Sequence, residues 1–230
     1  MEFVLDNGSV RVTLSTAGGS FTSIKANGRE YLSQGDPAVW SVQAPICFPI
    51  CGGLRDGRAM TMGGREVKLA RHGFARKQEW KLEEQSDNMV ALSLSSADHA
   101  ELLEQYPYPF KIVARYTIDA AKAAVSYEVT NEGTEDMPFF VGGHPGFKCP
   151  LDEGESYDDY ELRFEQREAA ELCTAVPSTG LIDVEHRSKN PMVGHDLPLT
   201  HELFDFAETI FDVLESRVVT LTKKTEDKDP

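Results

Sequence analysis

The chain of 230 residues is 40% hydrophobic and 27% charged, a composition typical of a globular protein that excludes a fibrous or disordered chain. Lysine and arginine number 23 against 38 aspartates and glutamates, and the net charge of -15 disfavours nucleic acid or an anionic membrane as a partner. The longest apolar stretch, 42–54, contains two prolines and is too short to span a bilayer. The first residues lack the basic and apolar segments of a signal peptide.

Strand patterns dominate the chain. Alternating, β-branched and aromatic residues predict strands, in chain order, at 10–14, 21–32 with a hairpin turn at Asn27-Gly28, 62–69, 90–94, 110–118, 123–129, 160–164 and 218–222. Only 99–106 has a helical pattern, which Pro107 and Pro109 end. Many short strands without alternating helices predict an all-β fold, a large antiparallel β-sandwich. No repeat or linker divides the sequence, so we expect one domain over 1–230, with 223–230 an exposed turn.

The charge is distributed unevenly along the chain. Residues 1–80 hold ten basic and seven acidic residues, whereas 81–230 hold 13 and 31. Within 55–77, seven basic residues accompany only Asp56 and Glu66. Such a run is either a solvated hairpin face or a donor-rich wall beside a polar or anionic ligand. The acidic run 152–171 is expected to be a solvated strand-and-loop face.

The four cysteines indicate a reducing compartment. Cys47 and Cys51 are spaced C-x3-C, while Cys149 and Cys173 stand alone. This spacing fits neither a zinc site nor a disulfide framework. We therefore expect reduced thiols and a cytoplasmic protein.

Two segments place a histidine among glycines and aromatic residues. They are Arg-His-Gly-Phe-Ala-Arg at 71–76 and Val-Gly-Gly-His-Pro-Gly-Phe at 141–147. Their glycines would leave backbone space for a ligand, and Phe74 or Phe147 could stack on a sugar or shield the site from water. Imidazole is the side chain best suited to proton exchange near neutral pH. A lone histidine beside glycines more often has a turn or hydrogen-bonded structural role, and only the occurrence of two such segments in one β-rich chain makes a functional role an equal alternative.

Together with four further motifs, these segments resemble the aldose 1-epimerase (galactose mutarotase-like) family, in particular its LacX-like bacterial branch. The further motifs are Phe-Pro-Ile at 48–50, Gly-Gly-Leu-Arg-Asp-Gly at 52–57, Gln-Tyr-Pro-Tyr-Pro-Phe at 105–110, and Leu-Phe-Asp at 203–205 followed by Ser-Arg-Val-Val-Thr-Leu at 216–221. The resemblance extends over nearly the whole chain. It implies a large antiparallel sandwich with an open sugar cleft, and interconversion of α and β anomers without a cofactor or metal.

The resemblance also implies roles for the two histidines. His144 matches the general acid of the family, and His72 matches a second histidine that hydrogen-bonds the sugar near its ring oxygen. Anomer exchange removes the proton of the anomeric hydroxyl and protonates the ring oxygen. A carboxylate base and a histidine acid on opposite sides of the ring suit this chemistry.

Further residues are carried over as sugar ligands. Arg76 is expected to bind a hydroxyl or phosphate, and Arg55 lies where the family has a basic residue at the cleft. Gly53 stands where an arginine is expected in near relatives. Asp205 is the expected carboxylate for sugar hydroxyls, with Glu208 as the alternative.

The sequence departs from the family at the base. Family members carry a catalytic glutamate near the C-terminus in an Ile-Glu-Pro-Trp-like segment. The sequence contains no Glu-Pro pair, and its tryptophans, Trp40 and Trp80, lie early. We therefore expect the chain to lack the C-terminal strands of the sandwich together with the catalytic glutamate.

Three functions follow from these features. An aldose 1-epimerase acting on a free sugar leads, and the missing glutamate keeps a non-catalytic carbohydrate-binding or regulatory module as an alternative. The basic stretch at 55–77 keeps a sugar-phosphate (hexose-6-phosphate) 1-epimerase as another. A glycoside hydrolase would need two facing carboxylates and is disfavoured. A metal site at His195 and His201 with the acids around them is disfavoured as well, because the spacing fits no ligand set.

Overall fold

The computed structural model describes residues 1–205 and 208–224 and divides the chain into two compact units, Met1–Lys148 and Cys149–Pro230. Strands and short 3-10 helices make up the regular structure of the described residues, so the predicted all-β class is confirmed. No helix in this part of the chain is long and apolar enough to cross a bilayer. The single domain over 1–230 stays a prediction, and most of the turn expected at 223–230 lies outside the described residues.

Two four-stranded antiparallel sheets form the frame of the first unit. One has the order β1 (Glu2–Asp6), β2 (Val10–Ser15), β3 (Ser20–Ala26) and β4 (Arg29–Glu30). The other has the order β11 (Lys122–Asn131), β10 (Phe110–Asp119), β9 (Met89–Ser95) and β8 (Lys81–Gln85). Asn27 and Gly28 form the turn between β3 and β4, as predicted.

One hydrophobic core joins the inner faces of these sheets. Side chains of β10 are alternately buried and half-buried, which is the period of a strand with one face on a core. The Phe21 ring meets the Tyr116 ring edge-on at 4.6 Å, and the Tyr116 hydroxyl donates to the carbonyl oxygen of Gly19. The first unit is therefore an antiparallel β-sandwich, as predicted.

Two short strand pairs complete the first unit. β5 (Ile46–Cys47) pairs with β12 (Gly142–Gly143), and β6 (Arg58–Met60) pairs with β7 (Glu66–Lys68). The strand predicted at 62–69 is thus a short hairpin arm. The helical pattern at 99–106 forms a single 3-10 segment, Ala100–Glu104.

The second unit contains two small antiparallel sheets. Three strands have the order β16 (Asp196–Pro198), β13 (Tyr160–Phe164) and β17 (Val219–Lys223), and β14 (Leu172–Val176) pairs with β15 (Leu181–Ser188). The remaining 3-10 helices of the described chain are Arg55–Gly57, Ala75–Lys77, Tyr157–Asp159 and His201–Phe204.

The acidic run 152–171 corrects one expectation, because two of its carboxylates are not solvated. Glu161 is fully buried on β13 and accepts a bond from Arg163 at 3.2 Å. Glu168 is buried as well and accepts the backbone N–H groups of Glu215 and Ser216. The Ser216 hydroxyl, together with the backbone N–H groups of Glu215 and Ser216, holds the pKa of Glu168 below its usual range. Buried carboxylates are tolerated when they are paired in this way.

Candidate functional site

Both histidine segments are attached to one short stretch of backbone, 45–48. On one side, Gly142 and Gly143 pair with Cys47 and Ile46, and the His144 N–H donates to the Pro45 carbonyl at 3.0 Å. On the other side, Gly73 forms a parallel bridge with Phe48. Strand pairing therefore brings together two motifs whose histidines are 72 positions apart in the sequence.

The two imidazoles face each other. The ring centroids of His72 and His144 lie 5.3 Å apart, and their planes are inclined by 69°. His72 is half-buried, and His144 is exposed. The structure thus brings together the two residues predicted as acid and binding partner.

Backbone contacts fix the tautomer of His72. Its own N–H donates to the carbonyl of Gly52 at 2.7 Å, and the N–H of Gly52 donates to its Nδ1 at 3.0 Å. A backbone N–H can only donate, so Nδ1 is unprotonated, and the neutral ring carries its proton on Nε2. The positive φ of 67° at His72 allows this reciprocal pair. His72 therefore presents Nε2–H as a donor.

Trp40 lies against His144, a contact that the sequence pattern did not predict. The ring centroids are 5.5 Å apart at an inclination of 57°. From the sequence alone, Trp40 is notable only because it lies too early in the chain to match the C-terminal Glu-Pro-Trp segment of the family. Its position in the Asp-Pro-Ala-Val-Trp segment at 36–40 carries no signal that links it to 141–147.

The thiols of Cys47 and Cys51 and the phenol of Tyr127 lie near the short strand pair of β5 and β12. Cys47 is buried, and burial together with the nearby Cys51 raises the pKa of its thiol to about 11. Burial likewise raises the pKa of the Cys51 thiol, and burial with both cysteines nearby raises the pKa of Tyr127 to about 12. These groups are neutral near pH 7 and add no charge beside the imidazoles. All four cysteines of the chain are free, as expected.

Arg76 lies just beyond the first histidine motif, in the 3-10 helix Ala75–Lys77. Its Nη2 donates to the carbonyl of Arg71 at 3.1 Å, while its buried Nε has no hydrogen-bond partner among the described residues. Its charge favours the thiolate form of Cys47 and so opposes the rise in the pKa of that thiol.

Arg55 is exposed at the start of the 3-10 helix Arg55–Gly57, three positions after Gly52. Its guanidinium has no ion pair with the described residues. Other cations of the basic stretch are neutralised: Lys68 pairs with Glu66 at 3.1 Å, and Arg65 binds Glu135 through two bonds of 2.7 and 2.6 Å.

The phenyl ring of Phe74 does not face a ligand. It is 4% exposed and packs against Phe48, Tyr106 and Phe110, with the Phe110 ring stacked at 5.6 Å. The expectation that it could stack on a sugar is therefore wrong. Phe147, at 59% exposed, remains open to such contact.

The predicted sugar carboxylates belong to the second unit. Asp205 is exposed directly after the 3-10 helix His201–Phe204. Glu208 lines a cavity of about 440 Å³ with Glu202, Leu203 and Lys189. Their roles as sugar ligands stay predictions, as do those of Arg55 and Arg76.

Two other features are distinct from the histidine site. A cavity of about 470 Å³ in the first unit is bordered by Pro107, Tyr108, Pro109 and the Arg65–Glu135 pair. In the second unit, His201 contacts Asp158 at 3.5 Å and the Tyr157 ring at 5.1 Å. Among the described residues, no three histidine, cysteine or acidic side chains are clustered as a metal would require.

Sequence comparison defines the class of protein to which this sandwich and its histidine pair belong. Residues 1–229 match the family model of aldose 1-epimerase. The chain belongs to the aldose 1-epimerase family, as its motifs indicated.

Individual relatives indicate to which branch of this family the chain is similar. The chain is 40% identical over 234 residues to the plasmid-encoded protein LacX of Lactococcus lactis subsp. lactis, with 99% of this chain and 78% of LacX covered. A galactose mutarotase related enzyme from Lactobacillus acidophilus superposes with a TM-score of 0.86 at 27% identity, over 98% of this chain and 74% of that one. A galactose mutarotase-like protein from Lactobacillus casei gives 0.83 at 27% identity, over 99% and 77%. These neighbours share the galactose mutarotase-like fold that the sequence predicted.

Proposed function

We propose that the protein is an aldose 1-epimerase that interconverts the α and β anomers of a free sugar through acid/base ring opening. The pair of imidazoles 5.3 Å apart supports this proposal, because the two rings have different surroundings. His72 is fixed by Gly52 as a donor at Nε2, whereas His144 is exposed and free to exchange protons with a ligand and solvent.

The reaction would proceed in three steps. A base takes the proton of the anomeric hydroxyl, the C1–O5 bond breaks towards O5, and His144 delivers a proton to O5. Rotation about C1–C2 then presents the other face of the new carbonyl. Ring closure reverses the proton transfers, so no atom is gained or lost. His72 would donate a hydrogen bond from Nε2 to the same ring oxygen and hold it near the acid.

An added carboxylate can supply the base of the reaction, and this allows the role of the acid to be tested separately. The sequence has no Glu-Pro pair to match the family's catalytic segment. Small carboxylates reach open sites, and His144 is exposed. Formate would therefore replace the base while the acid remains on the protein.

The experiment follows the optical rotation of freshly dissolved galactose and glucose, with and without formate, after subtraction of the protein-free rate. We expect the protein to raise the rate, and His144→Gln to lower the protein-dependent rate about a hundredfold or more. His186→Gln is the matched control, because His186 is an exposed histidine on β15 of the second unit. Equal rates for wild type and His144→Gln would refute the assignment.

A non-catalytic carbohydrate-binding module is the alternative that the missing Glu-Pro pair favours. It predicts heat of sugar binding in calorimetry with no rate above the spontaneous one at any formate concentration. Loss of that heat in His72→Gln would place binding at the same histidine pair.

A sugar-phosphate epimerase is favoured by the cations that lack ion pairs. Arg55 and Arg76 have no carboxylate partner among the described residues, and Arg76 carries a buried Nε without a bond. A phosphate would supply acceptors for guanidinium groups. Competition of hexose 6-phosphate against free hexose, repeated with Arg76→Gln, separates this function from the first.

A further inference from the structure

Residues 35–41 form a tight turn that brings Trp40 to the histidine site. The N–H of Asp36 donates to the carbonyl of Trp40 at 2.9 Å, and the N–H of Trp40 returns a bond to Asp36 at 2.7 Å. The carboxylate of Asp36 also accepts the N–H of Ala38 at 2.8 Å. The backbone of the turn is therefore held by its own bonds, and its last residue is fixed in place.

The indole of Trp40 packs against the backbone of Gly146. A Cβ at position 146 would lie 2.1 Å from Cζ3 of the indole, with Cη2 and Cε3 next at 2.9 and 3.1 Å. These distances mean that the edge of the benzo ring points at the Gly146 backbone. The chain on both sides is fixed, because the N–H of Gly146 donates to Gln43 and its carbonyl accepts from Ser33, both at 2.8 Å.

His144 needs such a neighbour because its side chain is exposed. An exposed imidazole can occupy several rotamers, and ordering it costs conformational entropy. Trp40 contacts the ring at a centroid distance of 5.5 Å, and His72 contacts it at 5.3 Å. Two aromatic neighbours, each on a fixed backbone, restrict the orientations open to the imidazole.

We propose that Trp40 is a positioning residue: its indole packs against the backbone of Gly146 and holds the imidazole of His144 in place. Its kinetic consequence rests on the proposed epimerase function. Proton transfer to the ring oxygen requires the acid within hydrogen-bond reach, so a displaced imidazole lowers the turnover rate. Binding depends on other groups and changes little.

The kinetic test compares aromatic and aliphatic replacements. We expect Trp40→Leu to lower kcat about tenfold or more with KM within about twofold, and Trp40→Phe to recover most of the loss. Gly146→Ala, which displaces the indole, should match Trp40→Leu. Val39→Ala is the matched control, since this neighbouring side chain is 84% exposed. An unchanged kcat in Trp40→Leu, or a change in KM alone, would overturn the inference.

A spectroscopic test is independent of turnover. A protonated imidazole quenches indole fluorescence, and the chain has two tryptophans, of which Trp80 is 2% exposed and donates from Nε1 to Ala75. We expect a component of tryptophan emission that rises with pH in wild type and is absent in both Trp40→Phe and His144→Gln. If it persists in His144→Gln, Trp40 does not face that ring, and the inference fails. If wild type shows no epimerisation, the proposed function fails, while the emission still decides whether Trp40 holds His144.

Discussion

Gly73 is the position at which a single methyl group most directly perturbs the histidine site. Its φ is 70°, and a Cβ there would lie 2.2 Å from the carbonyl oxygen of Phe48 and 2.5 Å from its carbonyl carbon. The obstacle is backbone, so no side chain can turn aside. Phe48 and Gly73 would have to separate by about 0.8 Å before that contact reached 3.0 Å.

The cost of Gly73→Ala has two parts. The left-handed conformation costs an L-residue about 1–2 kcal/mol. Separation also breaks the bond from the N–H of Phe74 to Phe48 (3.0 Å) and the longer bond from Phe48 to His72 (3.3 Å), each worth about 0.5–1.5 kcal/mol. We therefore expect Gly73→Ala to lower the free energy of unfolding by about 2–5 kcal/mol.

Gly64→Ala separates these two parts. Its φ is 75°, but nothing lies within 4 Å of its added Cβ, so only the conformational cost of about 1–2 kcal/mol remains. Urea unfolding of both variants measures the difference, which should be about 1–3 kcal/mol. Equal losses in the two variants would show that the Phe48 contact is not constrained as described. At permissive temperature, Gly73→Ala should also lose the proposed epimerase activity, because His72 moves with it.

Three further outcomes are expected. His72→Gln, which removes the imidazole fixed by Gly52, should slow formate-supported epimerisation about a hundredfold, measured by polarimetry; a wild-type rate would contradict the donor role. The pKa of the Cys47 thiol is raised to about 11, so the neutral thiol stabilises the folded state below the usual thiol range near 9, and this contribution is lost as the pH rises to about 11. Cys47→Ala should therefore reduce the fall in unfolding free energy at alkaline pH. Arg65 holds the pKa of Glu135 below its usual range, so Glu135→Gln should lower stability at pH 7, and this loss should shrink as the pH falls below the usual glutamate range in urea unfolding.

The strands with the clearest sequence pattern are those with one face on the core. β10 and β2 alternate because each places every second side chain in the sandwich interior. β8 is exposed along its whole length, and its sequence Lys-Leu-Glu-Glu-Gln therefore carries no such period. β5 and β12 have two residues each, too few for an alternating pattern, and form only because they pair with each other.

The candidate site was accessible to sequence reasoning only in part. Two histidines with flanking glycines identify the motifs, and a family resemblance assigns them roles. Their approach to 5.3 Å depends on pairing with residues 45–48, which no local pattern encodes. The same holds for Gly52, whose N–H fixes the His72 tautomer, and for Trp40.

The glycines of the two motifs have a different purpose from the one their sequence suggested. In each case, the space of the missing Cβ is taken by another part of the protein rather than left open for a ligand. The contacts are Gly73 with Phe48, Gly142 with Cys51, Gly143 with Tyr127 and Gly146 with Trp40. Substitution at these positions therefore acts on the placement of the imidazoles and not on the volume of a sugar cleft. A glycine-rich histidine motif in this sandwich marks where strands and rings must approach closely, and the two imidazoles owe their geometry to that approach.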